Sequence, residues 1–239
     1  MPFFQDSKSY LMRANPGHIL SSHLRQPSLN YPISFGGIAN HWFIELLNME
    51  FFKYRNKLSP QRGRLLISEP YLPDPNFERT IILLCENSLE GSFGFVLNKP
   101  STVSVSEVME EIKEYNTSAM IGGPVQQDTL HYIHRNASLE DAVEIVDGIF
   151  WGGNFERLLF LLETKQMQHN DVKFFLGYSG WSGGQLEEEL QEDSWIVSDQ
   201  VSGDLVFETA PDDMWKKTLT IMGGRFSVYS NYPKDPRLN

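Results

Sequence analysis

Short apolar runs, many of them alternating with polar residues, predict a series of β-strands that begins near residue 63. A run that is apolar throughout, such as residues 79–85, is typical of a strand covered on both faces. The turn at residues 87–91 joins that run to the next one as a hairpin, which stops at Pro100 because proline cannot donate to a ladder. The predicted strands are residues 64–68, 79–85, 92–98, 119–123, 129–134, 143–146, 149–151, 172–177, 195–197 and 205–207.

Helical signals lie between these runs. Ser104 and Glu107 have the spacing of a capping box, and the apolar residues that follow them recur at helical intervals. Asn154 is a natural N-cap for a helix over residues 155–164. Two further helices are predicted at residues 185–192 and from Pro211 to the glycine pair 223–224.

Hairpins mixed irregularly with β–α units favour a mixed β-sheet over a doubly wound parallel sheet. We expect an α/β (α+β) fold in which helices pack on a mixed β-sheet, in a single compact domain. The glycine-rich connection at residues 177–185 is interpreted as a loop between a strand and a helix.

Charge is distributed unevenly along the 239 residues. Residues 1–60 hold six Lys or Arg and three Asp or Glu, a net charge of +3, whereas the remainder carries fourteen basic and twenty-eight acidic residues, a net −14. Residues 1–60 also lack a sustained period until about Trp42. We therefore expect residues 1–60 to be an N-terminal extension that is poorly ordered or a misplaced start, and residues 61–239 to form the folded domain.

Composition excludes several protein classes. The chain is 41% hydrophobic with one cysteine, so it can build a core but not an intrachain disulfide framework or a Cys₂ zinc site. No apolar run approaches the roughly 18 residues of a membrane span. We expect a cytoplasmic protein that uses no cofactor and no metal and does not associate with a membrane.

The one catalytic motif is G-x-S-x-G at residues 180–184, which would make Ser182 a nucleophile. A triad of that type requires a histidine later in the chain, and none follows His169. A glycine-rich turn before the next helix is the preferred interpretation. An enzyme that uses residues 177–185 stays open as an alternative.

Other reactive side chains also have ordinary interpretations. His131 and His134 lie three apart on a predicted strand, so they point to opposite faces and cannot share a metal ion. Cys85 ends an apolar run, as a core thiol does. The acidic residues from Glu187 to Asp193 are interpreted as a solvated helix face, although a cation could be attracted there.

Direct nucleic-acid binding is disfavoured by electrostatics. A body of net charge −14 repels the phosphate backbone, whose neutralisation supplies most non-specific affinity. A direct DNA-binding regulator is kept as a further alternative, since a local basic patch can exist in an acidic protein.

Five motifs in fixed order resemble one family. They are GRLLISEP from Gly63, DPNFERT from Asp74, GFVLNKP from Gly94, GGPV from Gly122 and GYSGWSGGQLE from Gly177. Together they are similar to the YqgE/AlgH family of uncharacterised bacterial proteins, over about residues 63–224. The resemblance implies a compact α/β domain with a mixed sheet. Members are often labelled transcriptional regulators, and the resemblance carries over no catalytic residue set and no ligand.

The motif residues suggest a candidate binding surface at strand ends. Its members are polar or amphipathic side chains beside glycine or proline turns: Asp74, Arg79, Asn98, Tyr178, Trp181 and Gln185. A structural role is the alternative, in which Asp74 and Asn98 close turns, Arg79 satisfies carbonyls and Trp181 fills the core. We expect a non-catalytic binding or regulatory module that acts on transcription, if at all, indirectly through a protein partner.

Overall fold

The computed structural model describes residues 56–108 and 118–234. Within these ranges, ten strands follow in chain order: β1 Leu65–Ser68, β2 Ile81–Ser88, β3 Gly91–Val96, β4 Pro100–Ser104, β5 Ser118–Ile121, β6 Val125–His134, β7 Val143–Val146, β8 Ile149–Trp151, β9 Val172–Ser182 and β10 Trp195–Ser198. The expectation for residues 1–60 lies outside the described residues, apart from the last five.

Five α-helices are described in the same ranges. They are α1 Val105–Val108, α2 Phe155–Glu163, α3 Gln185–Gln191, α4 Pro211–Met222 and α5 Arg225–Tyr229, with a short 3₁₀ turn at His169–Asp171. The capping box is confirmed at α1, where Ser104 N donates to Glu107 Oε2 at 2.7 Å and Glu107 N donates to Ser104 Oγ at 3.3 Å. Asn154 caps α2 by accepting from the Arg157 N–H at 2.9 Å. The sequence did not predict α5.

The strands form one mixed sheet, as the sequence predicts. The order is β10-β1-β2-β3-β9-β6-β8-β7, and β5 joins β4 to β9 beside this path. Neighbours are antiparallel except for β5 and β9, which run parallel. Helices pack on this sheet, so the predicted α/β fold in a single domain is confirmed.

Buried side chains cover both faces of the sheet. Near β1, β2 and β10, one face packs under α3 and includes Leu66, Ile82, Trp181 and Trp195. Further along the sheet, α2 covers a second cluster that includes Tyr132, Leu158 and Phe174.

Two predicted elements differ from the structure. Residues 205–207 were expected to form a strand, but Asp204–Glu208 forms one wide helical turn. Ser202 explains it, because its hydroxyl accepts from Leu205 N at 3.1 Å and its carbonyl accepts from Val206 N at 3.0 Å. That local capping favours a turn even though three successive apolar residues are buried.

The expectation of a loop at residues 177–185 is wrong in its first part. Strand β9 continues to Ser182, and its last four residues pair with Gly91–Gly94 of β3. Gly177, with φ +67°, places one residue in the left-handed conformation inside this strand, as in a bulge. The second strand of the hairpin, β3, ends at Val96 and so stops before Pro100, as predicted. Pro100 is instead the first residue of β4, a strand that the sequence did not predict.

Candidate functional site

Two of the predicted site residues close the connection that leads into β2. Asp74 Oδ1 accepts from the backbone N–H of Asn76 at 2.8 Å, which is an Asx turn. Asn98 donates from Nδ2 to Arg79 O at 2.9 Å and accepts on Oδ1 from Ile81 N at 2.9 Å. The carboxamide thus replaces a strand partner at the point where β2 begins.

Arg79 links this connection to the C-terminal part of the domain. Its guanidinium lies 4.7 Å from the centroid of the Trp215 ring, and Nη2 donates to the carbonyl oxygen of Tyr232. Its backbone has φ +48°, and Nε is buried without a hydrogen-bond partner in the described structure. Arg79 therefore lies in a strained position that ties β2 to α4 and the segment after α5.

Trp181 and Gln185 meet at a carboxylate that the sequence analysis treated as part of a solvated helix face. Glu189 Oε2 accepts from Trp181 Nε1 at 2.9 Å and from Trp195 Nε1 at 2.7 Å, while Oε1 accepts from Gln185 Nε2 at 3.0 Å. Both indoles are buried, with 6% of Trp181 and 2% of Trp195 exposed. Glu189 therefore stabilises the core cluster under α3 by satisfying two buried indole donors.

The serine of the G-x-S-x-G motif is part of the same hydrogen-bond network. Ser182 donates from Oγ to Gln185 Oε1 at 3.2 Å, and its backbone N–H donates to the same oxygen at 3.1 Å. Gly184, with φ +84°, is the N-cap residue that precedes α3. The contacts are those of a strand-to-helix turn, and Gln185 holds the serine hydroxyl.

Tyr178 lies on the opposite face of β9 from Trp181, because the two are three positions apart on the strand. Its ring packs edge to face against Phe93 at 6.2 Å between centroids, and Phe93 meets Trp151 at 5.0 Å. All three side chains are half-buried and come from β9, β3 and β8. We call Phe93, Trp151 and Tyr178 the aromatic corner. The sequence analysis found only Tyr178 of these three.

The two histidines point to opposite faces, as predicted. His134 is fully buried; Nδ1 accepts from Asn136 N at 3.1 Å, so Nε2 carries the hydrogen and donates to Gly152 O at 2.9 Å. His131 lies between Phe95 and Tyr178, with Nε2 3.0 Å from Thr129 Oγ1. Burial lowers the pKa of His134 and lowers that of His131 to about 4.

We expect these histidines to make the fold less stable in acid. Between pH 6.5 and pH 4 an unfolded His131 binds a proton that the folded one excludes, so the free energy of unfolding falls as the pH drops. For a pKa of about 4, the loss is roughly 2 to 3 kcal/mol by pH 4. Urea unfolding of wild type and His131→Phe at pH 7.5 and pH 4 measures it. A smaller loss for the variant is the expected result, and an equal loss would contradict the assignment.

Other chemistry expected or excluded from the sequence can be located as well. Cys85 is buried, and burial raises its thiol pKa, as for a core cysteine. Among residues 56–108 and 118–234, no three His, Cys, Asp or Glu side chains are grouped so as to hold a metal ion. Within the same residues, every helix is too short or too polar to cross a membrane.

Most of the described part of the chain is similar to known proteins. Residues 65–227 match the family model described as AlgH-like. A UPF0301 protein of Cytophaga hutchinsonii is 47% identical over 180 residues, covering 74% of this chain and 98% of that protein. A UPF0301 protein of Chlorobium limicola is 41% identical over 185 residues, covering 77% and 97%.

Two solved structures share the fold. The solution structure of the AlgH protein from Pseudomonas aeruginosa matches with a TM-score of 0.58 and 26% identity, over 74% of this chain and 98% of that one. A crystal structure of a Corynebacterium diphtheriae protein matches with a TM-score of 0.61 at 21% identity, over 75% and 95%, and so supports the fold alone.

Proposed function

Because this chain belongs to the AlgH-like family, we propose that it is a non-catalytic binding module that recognises a protein partner at the aromatic corner. The observation that carries the proposal is that most motif residues make contacts within the domain, whereas Tyr178 belongs to a partly exposed aromatic group. Asp74, Asn98 and Gln185 use their polar groups on this chain's own atoms. Tyr178 is half-buried against Phe93, which also packs against Trp151. Tyrosine and tryptophan are among the residue types that contribute most of the binding energy at protein interfaces.

The enzyme alternative receives less support from these contacts. A serine nucleophile needs a base within hydrogen-bond reach, and the hydroxyl of Ser182 donates to the amide oxygen of Gln185, which is not a base at neutral pH. Trp181 and Gln185 both donate to the Glu189 carboxylate, which also accepts from Trp195. Trp181, the motif serine Ser182 and Gln185 thus use their side-chain polar groups on contacts within the domain.

An indirect route to transcription fits the charge better than groove binding. The net charge of −14 after residue 60 opposes contact with nucleic-acid phosphates but favours a partner with a basic surface. We place this module in the cytoplasm and assign its regulatory effect, where one exists, to the partner.

Affinity capture of the full chain from its own host cell tests the proposal. Tyr178→Leu keeps apolar volume but removes the ring and hydroxyl, so we expect recovery of the specific partner to fall by roughly tenfold, as for a central interface residue. Phe160→Leu is the matched control, because Phe160 is an aromatic residue on α2 with 45% exposure. Quantitative mass spectrometry of the eluates measures the change.

Two results would count against the proposal. One is that no protein is enriched over a tag-only control. The other is that recovery depends equally on Tyr178 and Phe160, which would place no binding at the aromatic corner. Turnover of an ester, phosphate or nucleotide substrate that is lost in Ser182→Ala would support the enzyme alternative instead.

A further inference from the structure

The three rings of the aromatic corner stand at steep angles to one another. Phe93 makes an interplanar angle of 62° with Trp151 and 82° with Tyr178. An edge-to-face contact covers a face of only one of its two rings, whereas a flat stack covers a face of both. Phe93 also packs edge to face against Phe95, and Tyr178 against His131. Trp151 therefore has the fewest described aromatic neighbours of the three. The arrangement is suited to a side chain that binds against an aromatic face.

Two hydrogen-bond donors at the corner have no protein acceptor in the part of the chain that the structure describes. Within the described residues, neither Trp151 Nε1 nor the Tyr178 hydroxyl donates to a protein acceptor, and neither side chain is fully exposed. The other described tryptophans contrast with Trp151: Trp181, Trp195 and Trp215 each donate from Nε1 to an oxygen. Donors at the surface of such half-buried rings can bind the carbonyl oxygens of a bound segment.

A carboxylate accompanies the rings. Glu86 is exposed and lies directly opposite Phe93 in the β2–β3 ladder, so the two side chains share one face of the sheet. On the other side, Val143 of β7 lies opposite Trp151 and is 40% exposed. Aromatic faces beside a carboxylate, in a body of net charge −14, are complementary to a cation.

We propose that the aromatic corner together with Glu86 receives an arginine side chain from a segment of the protein partner. The guanidinium is flat and stacks on a ring face, and its N–H groups donate to the Glu86 carboxylate. Trp151 Nε1 and the Tyr178 hydroxyl donate to carbonyl oxygens of the same segment. The inference rests on the proposed function, since it names the chemistry of the partner.

Titration of the full chain with a hexa-arginine peptide tests this chemistry. An acidic protein attracts such a peptide everywhere, so the control must remove the same charge elsewhere. Glu86→Gln and Glu187→Gln are matched in this respect, because both residues are exposed glutamates. We expect the dissociation constant to rise roughly fivefold for Glu86→Gln and less than twofold for Glu187→Gln.

The wild-type protein supplies a second measurement that needs no variant. The indole N–H resonance of Trp151 in a ¹H–¹⁵N spectrum should shift on titration, and a hexa-citrulline peptide, which lacks the charge, should leave it in place. Equal weakening by Glu86→Gln and Glu187→Gln, an unmoved Trp151 resonance at saturating peptide, or equal binding of the citrulline peptide would each overturn the inference.

The outcome is distinguishable from a failure of the proposed function. If partner capture depends on Tyr178 but the arginine peptide fails these tests, the binding module stands and its partner presents other chemistry at the aromatic corner. If capture does not depend on Tyr178, the proposed function fails whatever the peptide shows.

Discussion

Replacing Glu189 with alanine is expected to lower the free energy of unfolding by about 3 kcal/mol. The carboxylate accepts from two indole N–H groups at 2.9 and 2.7 Å, and both tryptophans lie almost wholly inside the domain. A buried donor left without an acceptor costs about 1 to 3 kcal/mol. Two donors are left at once, so the effect is large for a single residue on a seven-residue helix.

Urea unfolding followed by tryptophan fluorescence measures this loss. Glu188→Ala is the control, because Glu188 is an exposed neighbour on the same helix, and we expect it to change the free energy of unfolding by less than about 0.5 kcal/mol. Glu189→Gln keeps one acceptor oxygen for the indoles, so its free energy of unfolding should lie between those of Glu188→Ala and Glu189→Ala. Equal values for Glu188→Ala and Glu189→Ala would show that the carboxylate lies in solvent, as the sequence had indicated.

Gly122→Ala is expected to cost at least about 3 kcal/mol or to prevent folding. A Cβ atom at this position would lie 2.2 Å from the carbonyl oxygen of Gly177 and 3.1 Å from the Cβ of Phe175. The Gly122 N–H donates to Leu176 O at 2.9 Å, and the Gly122 carbonyl accepts from Val96 N at 2.9 Å. These backbone hydrogen bonds on both sides prevent Gly122 from moving away from Gly177. Neither neighbour is a flexible side chain that could move away.

Gly184→Ala is the control for Gly122→Ala, because it introduces backbone strain without a steric clash. Gly184 has φ +84° but open space around the position of its Cβ. Alanine at this position is expected to lower the free energy of unfolding only by the cost of the left-handed conformation, about 1 to 2 kcal/mol. Thermal or urea unfolding of the two variants in parallel should rank Gly122→Ala well below Gly184→Ala, and the reverse order would contradict the packing described for β5 and β9.

Local signals predicted those parts of the fold whose contacts are local. The Ser104–Glu107 capping box, the Asn154 cap and the end of α4 before Gly223 depend on residues within a few positions of each other. Apolar runs of strand length located most strands, because burial on two sheet faces requires that pattern. The mixed sheet then followed from the order of the elements.

Contacts between distant residues could not be predicted in the same way. Three apolar residues in a row suit a strand and a buried helical turn equally, and the choice at 205–207 depends on Ser202. The extension of β9 to Ser182 depends on pairing with β3, roughly ninety residues earlier, and glycine-rich sequence by itself indicates a turn.

The candidate site shows the same limit. The positions beside turns identified Asp74, Arg79 and Asn98, and Asn98 does donate to the Arg79 carbonyl. The contacts of Arg79 with Tyr232 and Trp215 could not be predicted in this way, because they join segments more than 130 residues apart. The aromatic corner combines three strands, so sequence position alone connected neither Phe93 nor Trp151 with Tyr178.

The most direct test of the central claim is to compare partner capture from the host cell by wild type, Tyr178→Leu and Ser182→Ala. Both variants are used under conditions in which their unfolding curves show that they are folded. If the motif around Ser182 is structural and the aromatic corner binds the partner, Ser182→Ala recovers as much partner as wild type, while Tyr178→Leu loses most of it. Undiminished capture by Tyr178→Leu, or a loss confined to Ser182→Ala, would contradict the account.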